Sequence, residues 1–218
     1  MMIRCLALDF DGVLVDSNAA KRSAYFEVFA SLGAPRHVIE EVLEKNRDGD
    51  RYVVIDRVLR RLLAEGSLGG RTDELIQPCT DHYNRICEEF AATCVEIYGA
   101  SAALPGLAAR YALFVNSATP EEPLRRIIMR RGWASYFREI LGRPRTKSEN
   151  LIRILAREGV EGAEVVVVGD RRGDLEAAVE CGCQFVGMRS DENDFDGGDV
   201  VVVGDLSQLE AVLRERWG

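Results

Sequence analysis

The chain has 218 residues, 47% of them hydrophobic, and carries 28 Lys and Arg against 36 Asp and Glu, a formal net charge of −8. That length and apolar content support one large domain or a core carrying an insertion, and the acidic balance excludes the broad basic field that binds a nucleic-acid backbone. No apolar run approaches membrane-spanning length, and the first, "IRCLALDF", is too short and too soon interrupted by acids for a signal peptide. The expectation is a cytoplasmic protein with neither nucleic-acid nor membrane partner, acting as a monomer or weak homodimer.

Taken in chain order, "IRCLALDF" predicts a buried strand that ends in Asp9 and Asp11, with Gly12 allowing a tight turn and Asp16 and Ser17 serving as hinge or helix cap. From residue 17 to residue 97 no strand pattern follows. The segments "AAKRSAYFEVFASLG", "HVIEEVLEKN", "RYVVIDRVLRRLLAEG" and "DELIQPCTDHYNRICEEFAATCVEIYG" all carry helical periodicity. An all-helical domain, 17–97, is therefore expected after the first strand, the core being 1–16 and 98–218. Cys79, His82, Cys87 and Cys94 fall along one predicted helix whose spacing does not bring all four to one face, which argues against a zinc site. The six cysteines read as reduced, packed thiols.

Beyond the insertion, the β-branched runs "ALFVNS", "EVVVVGD", "CQFVGM" and "DVVVVGD" are near-continuously apolar, as strands covered on both faces are. They alternate with helical patterns such as "EEPLRRIIMRRG" and "SENLIRILAREG", stopped by Gly132 and Gly159. The expected fold class is α/β: a doubly wound parallel-sheet, Rossmann-like core with an all-helical cap inserted after the first strand. Cys181-Gly-Cys183 reads as a helix end turning into a strand, and "SDENDFDGGD" as a solvated loop.

Open α/β sheets bind ligands at the carboxyl ends of their strands. The polar residues collected there are Asp9 and Asp11, Ser117, Lys147, and Asp170 with Asp174. Clustered carboxylates repel unless a cation joins them, and hard oxygen ligands suit Mg²⁺. A lysine and a hydroxyl at the same mouth suit a phosphate, so the set specifies a magnesium-assisted phosphoryl site. Singly, each residue has a plainer use: a strand-end Asp as a turn residue, Ser117 as a helix cap, Lys147 as a solvated charge beside Arg143 and Arg145.

"DFDGVLVDS", "VNSATP", Lys147 and "GDRRGD" resemble, in order, the four signature motifs of the haloacid dehalogenase superfamily. The helical interval falls where that family inserts its C1-type cap, and the whole chain resembles the phosphoglycolate phosphatase and β-phosphoglucomutase branch. The resemblance implies that Asp9 attacks phosphorus to form an aspartyl-phosphate and that Asp11 protonates the leaving oxygen, then deprotonates water. It implies that Ser117 and Lys147 bind the phosphoryl group. Asp9, the backbone carbonyl of Asp11, Asp170 and, directly or through water, Asp174 would hold Mg²⁺. In the cap segment "NRDGDRYVVIDRVL", Arg51 is favoured over Arg47 as the residue that reads the substrate, with a surface arginine as the plain reading.

Two departures stand out: Arg171 and Arg172 where relatives carry smaller residues, and Lys147 in "RPRTKSENL" rather than before a proline. The expected function is a phosphatase acting on a small phosphorylated metabolite. A phosphomutase that hands the group to a sugar hydroxyl is the near alternative, and a non-catalytic phosphoacceptor or binding protein the distant one. The presence of Asp11 disfavours dehalogenation, since halide departure needs no general acid.

Overall fold

The computed structural model describes residues 2–46, 50–69, 71–190, 195 and 200–218. The chain divides into two compact units, Met1–Asp16 with Ala91–Gly218, and Ser17–Phe90. Among the described residues the first contains six strands: β1 (Cys5–Leu8), β2 (Ala112–Pro120), β3 (Glu139–Arg143), β4 (Val165–Gly169), β5 (Gln184–Met188) and β6 (Val201–Val203). All pair in parallel, in the order β3-β2-β1-β4-β5-β6, so the chain starts at the sheet's middle and winds outward in both directions.

The alternation of side chains along a strand assigns the two faces. Leu6, Leu8, Leu113, Val115, Val166, Val168 and Val186 face one core with Leu104 and Leu107 of α5 (Ala100–Arg110), Leu124 and Ile127 of α6 (Glu121–Arg130), and Leu209 and Leu213 of α9 (Leu209–Trp217). Cys5, Ala7, Ala112, Phe114, Val165 and Val167 face the other, with Leu151 and Ile154 of α7 (Lys147–Glu158) and Ala177 and Ala178 of α8 (Arg172–Glu180). Burial on both faces explains why these strands read as unbroken apolar runs.

β3 is absent from the sequence reading. Only Ile140, Leu141 and Gly142 of its five residues are buried, between half-buried Glu139 and exposed Arg143, so this edge strand is too short for an apolar run. Gly142 is there for space: a Cβ would lie 2.4 Å from the carbonyl oxygen of Thr119.

The second unit is helical: α1 (Asn18–Ala30), α2 (Arg36–Glu44), α3 (Arg51–Ala64) and most of α4 (Asp73–Ala91) pack Tyr25, Phe29, Ile39, Ile55, Leu59, Leu62 and Tyr83 into its core. Ser17 stands at the N-cap of α1 but makes no side-chain cap bond. Asp50 caps α3, accepting from the Tyr52 amide at 2.8 Å. α4 ends at Ala91, so Cys94 lies beyond the helix that its spacing suggested. The cause is a backbone tether: Asp16 N donates to Val95 O at 3.0 Å and Ile97 N to Leu14 O at 3.1 Å, drawing the chain out of helix beside the end of β1. No helix among the described residues is long and apolar enough to cross a membrane. The loop "SDENDFDGGD" is described only at Ser190 and Phe195, and Arg47 lies outside the described residues.

Candidate active site

Strand parity carries over from the core to the site. Asp9 and Asp11 continue the face that bears Cys5 and Ala7, the face covered by α7 and α8, while Phe10 joins the opposite core. Asp9, 6% exposed, is therefore aimed at the first turns of those two helices. Gly12 follows at φ 77°, where only a glycine turns the chain without strain, and Asp9 Oδ1 accepts from the Phe10 amide at 2.7 Å.

α7 and α8 supply the partners. Lys147, the first residue of α7, places Nζ 2.6 Å from Asp9 Oδ2 and also donates to Asp174 Oδ1 in α8. Asp174 folds back beneath the end of β4, where its Oδ2 accepts from the Arg171 amide at 3.2 Å. Gly169 makes that possible, because a Cβ there would lie 2.2 Å from the Cβ of Asp174. Asp170, 1% exposed, completes the group, with Arg171 Nε 3.5 Å from its Oδ2. The departure flagged at Arg171 thus faces Asp170, whereas Arg172 turns outward to Glu176 at 2.9 Å.

Carboxylate oxygens of Asp9, Asp170 and Asp174 lie within 4.8 Å of one another. Burial, aided by Asp9 and Asp170 and opposed by Lys147, pushes the Asp174 carboxyl up to about 7. Burial works against the Lys147 charge, but Asp174 and Asp9 outweigh it and hold the ammonium above its ordinary range. Lys147 therefore stays charged, and the Asp174 carboxyl takes up a proton more readily than an ordinary carboxyl in the metal-free protein. Three buried, all-oxygen ligands around one lysine fit a hard divalent cation such as Mg²⁺, and lack the sulfur and imidazole that favour zinc.

Asp11 is held separately: its Oδ2 accepts from the Thr119 hydroxyl at 3.0 Å. Ser117, 1% exposed, accepts through Oγ from the Thr119 amide at 3.1 Å, so that amide is turned inward to the strand end. Thr119, which the sequence presents only within "VNSATP", thus contacts both Ser117 and Asp11. Asn116 and Asn150 carry no role in the sequence reading, and Arg145 enters it only as a charge beside Lys147. Asn116 Nδ2 donates to the carbonyl of Lys147 at 3.0 Å, and Asn150 Nδ2 donates to Asn116 Oδ1 at 3.0 Å. The available signals were parity, which turns Asn116 toward α7, and the i, i+3 spacing that stacks Asn150 beside Lys147.

Arg51 belongs to the helical unit. Its Nη1 donates to Asn84 Oδ1 at 2.5 Å, and its guanidinium carbon lies 5.8 Å from the centroid of the Tyr83 ring.

The family profile described as "Haloacid dehalogenase-like hydrolase" matches residues 6–188. A phosphoglycolate phosphatase of Pectobacterium atrosepticum is 26% identical over 217 residues, covering 97% of this chain and 88% of that protein. Among solved structures, a predicted phosphoglycolate phosphatase from Haemophilus somnus has a TM-score of 0.77 at 17% identity, over 97% of this chain and 98% of its own. CbbY of Rhodobacter sphaeroides, crystallised with phosphate, has a TM-score of 0.70 at 20% identity, over 95% and 96% of the two chains. At these identities the likeness to solved structures is one of fold.

Proposed function

The chain belongs to the haloacid dehalogenase-like hydrolases, and on that premise we propose that it is a Mg²⁺-dependent phosphatase that acts on a small phosphorylated metabolite through an aspartyl-phosphate at Asp9. The observation that carries the reading is the bridge by Lys147 between Asp9 and Asp174, within a cluster that also holds Asp170.

Asp9 is the nucleophile. Its carboxylate oxygen forms a bond to phosphorus as the bond from phosphorus to the leaving oxygen breaks, and Asp11 delivers a proton to that oxygen. The Thr119 hydroxyl on Asp11 Oδ2 holds the acid in one orientation during the transfer. Asp11, now ionised, takes a proton from water, whose oxygen attacks phosphorus, so that phosphate leaves and the Asp9 carboxylate is regenerated. Lys147 pairs with Asp9 and adjoins the phosphoryl oxygens as a compact charge. Ser117 supplies a hydroxyl to the same group.

Asp9, Asp170 and Asp174, with the backbone carbonyl of Asp11, would hold Mg²⁺; when bound, the ion neutralises phosphoryl charge. The first substrate to test is phosphoglycolate, after the name of the Pectobacterium atrosepticum relative. The test is release of inorganic phosphate from a panel of phosphomonoesters, including phosphoglycolate and p-nitrophenyl phosphate, with Mg²⁺ or with EDTA. Turnover with Mg²⁺ and none with EDTA is expected; turnover undiminished by chelator overturns the metal assignment, and no turnover across the panel overturns the reading.

A further inference from the structure

Lys147 reaches Asp9 and Asp174 on a long flexible stem, so its usefulness depends on where its backbone sits. Outside, the start of α7 is held by a reciprocal cap, with the Thr146 amide 2.7 Å from Glu149 Oε2 and the Glu149 amide 3.2 Å from Thr146 Oγ1. Inside, on the face that otherwise carries Leu151 and Ile154, Asn150 is completely buried and the neighbouring Asn116 is 2% exposed. A leucine would serve packing there, so the amide chemistry needs a reason.

Hydrogen-bond polarity supplies it. The Lys147 carbonyl only accepts, so Asn116 must present Nδ2 to it, at 3.0 Å. That leaves Asn116 Oδ1 facing Asn150, which must donate, and its Nδ2 does so at 3.0 Å. Asn150 Oδ1 then needs a donor and receives Arg145 Nε at 3.0 Å. Arg145 Nη2 in turn rests on Glu121 Oε2 at 2.6 Å, an acid that also accepts from the Gly142 amide at 3.3 Å. Each amide orientation is set by the next, from the first residue of α6 to the backbone of Lys147.

We propose that Asn116 and Asn150 are positioning residues, an ordered relay anchored by Arg145 and Glu121 that sets the backbone of Lys147 and through it the ammonium at Asp9. The role rests on the phosphoryl-transfer reading given above, in which a displacement near 1 Å lowers turnover about 100-fold.

The test is a double-mutant cycle in the Mg²⁺-loaded enzyme with p-nitrophenyl phosphate. Asn150→Asp keeps shape and still accepts from Arg145 but has no donor for Asn116. It is expected to lower kcat about 10- to 100-fold. In the Lys147→Ala background the same change is expected to alter kcat less than about 2-fold, because the relay has nothing left to position. A kcat unchanged by Asn150→Asp, or an equal fold-loss in both backgrounds, overturns the inference and leaves the phosphatase reading intact. A Lys147→Ala enzyme with wild-type kcat instead removes the catalytic role of Lys147, and the relay's with it. Should Asn150→Asp lose the native circular-dichroism spectrum, Asn116→Ser runs through the same cycle with the same criteria.

Discussion

Lys147 Nζ lies 2.6 Å from Asp9 Oδ2 although 138 residues separate the two in sequence. The contact follows from parity at the end of β1 and from the start of α7 being pinned against β2. Lys147→Ala should leave Asp9 and Asp174 without their shared cation in a mostly buried cluster. We expect a loss of kcat of at least about 100-fold on p-nitrophenyl phosphate. In EDTA, removing one partner of a buried ion pair should also destabilise the fold by about 3 kcal/mol, read from urea unfolding. A variant as stable and as active as wild type would contradict both.

The proposed place of Asp174 in the metal site makes Mg²⁺ binding depend on pH. Its folded-state pKa, about 7, lies above the ordinary carboxyl value of 3.8. A raised carboxyl contributes stability that is complete below the ordinary value and is lost as pH rises through the folded value. In metal-free protein this contribution fades between those limits, and Mg²⁺ must displace a proton at acidic pH but not at alkaline pH. The rise in Tm on adding Mg²⁺ should therefore be larger at pH 8 than at pH 5.5. An equal rise at both would remove Asp174 from the metal site.

Two glycines a few residues apart should respond in opposite senses. A Cβ on Gly169 meets Asp174 Cβ at 2.2 Å, whereas one on Gly173, inside α8, meets nothing within 4 Å. Gly169→Ala should cost about 2 kcal/mol or more, by overpacking at Asp174. Gly173→Ala should stabilise by about 0.5 to 1 kcal/mol, through helix propensity. Denaturant midpoints of the two variants decide this, and a Gly169→Ala protein as stable as Gly173→Ala would contradict the close approach.

Thr119→Val keeps the shape of the side chain and removes the donor to Asp11. A hydrogen bond to a charged group contributes about 1.5 to 3 kcal/mol, so turnover of an alkyl phosphate, whose leaving oxygen needs a proton, should fall about 10-fold or more. p-Nitrophenyl phosphate, with a good leaving group, should suffer less. Equal losses on both substrates would mean that Thr119 does not act through the acid.

The α/β class and most strands were legible because burial on both faces writes a continuous apolar run, as in "EVVVVGD", and the site acids because several of them collect at one edge of the sheet, where single turn roles do not account for the set. β3 was not legible: an edge strand with three buried residues writes too little. Thr119, Asn116 and Asn150 escaped for another reason. Their meaning lies in partners brought from distant chain segments, Asp11 in one case and the Lys147 carbonyl in the other, and single-residue chemistry does not report pairing. Cys94 was misplaced on a helix because the pull of Leu14 and Asp16 on the backbone of residues 95–97 is a tertiary effect that helical periodicity cannot carry.

The central claim is that Asp9 carries the phosphoryl group. The most direct measurement is rapid acid quench of the Mg²⁺-loaded enzyme during turnover of a radiolabelled phosphomonoester, followed by peptide mapping. Protein-bound phosphate that is labile to hydroxylamine, sits on the peptide containing Asp9 and is absent from Asp9→Asn is the predicted result. Turnover with the label on another residue, or an Asp9→Asn enzyme that still accumulates it, would contradict the account.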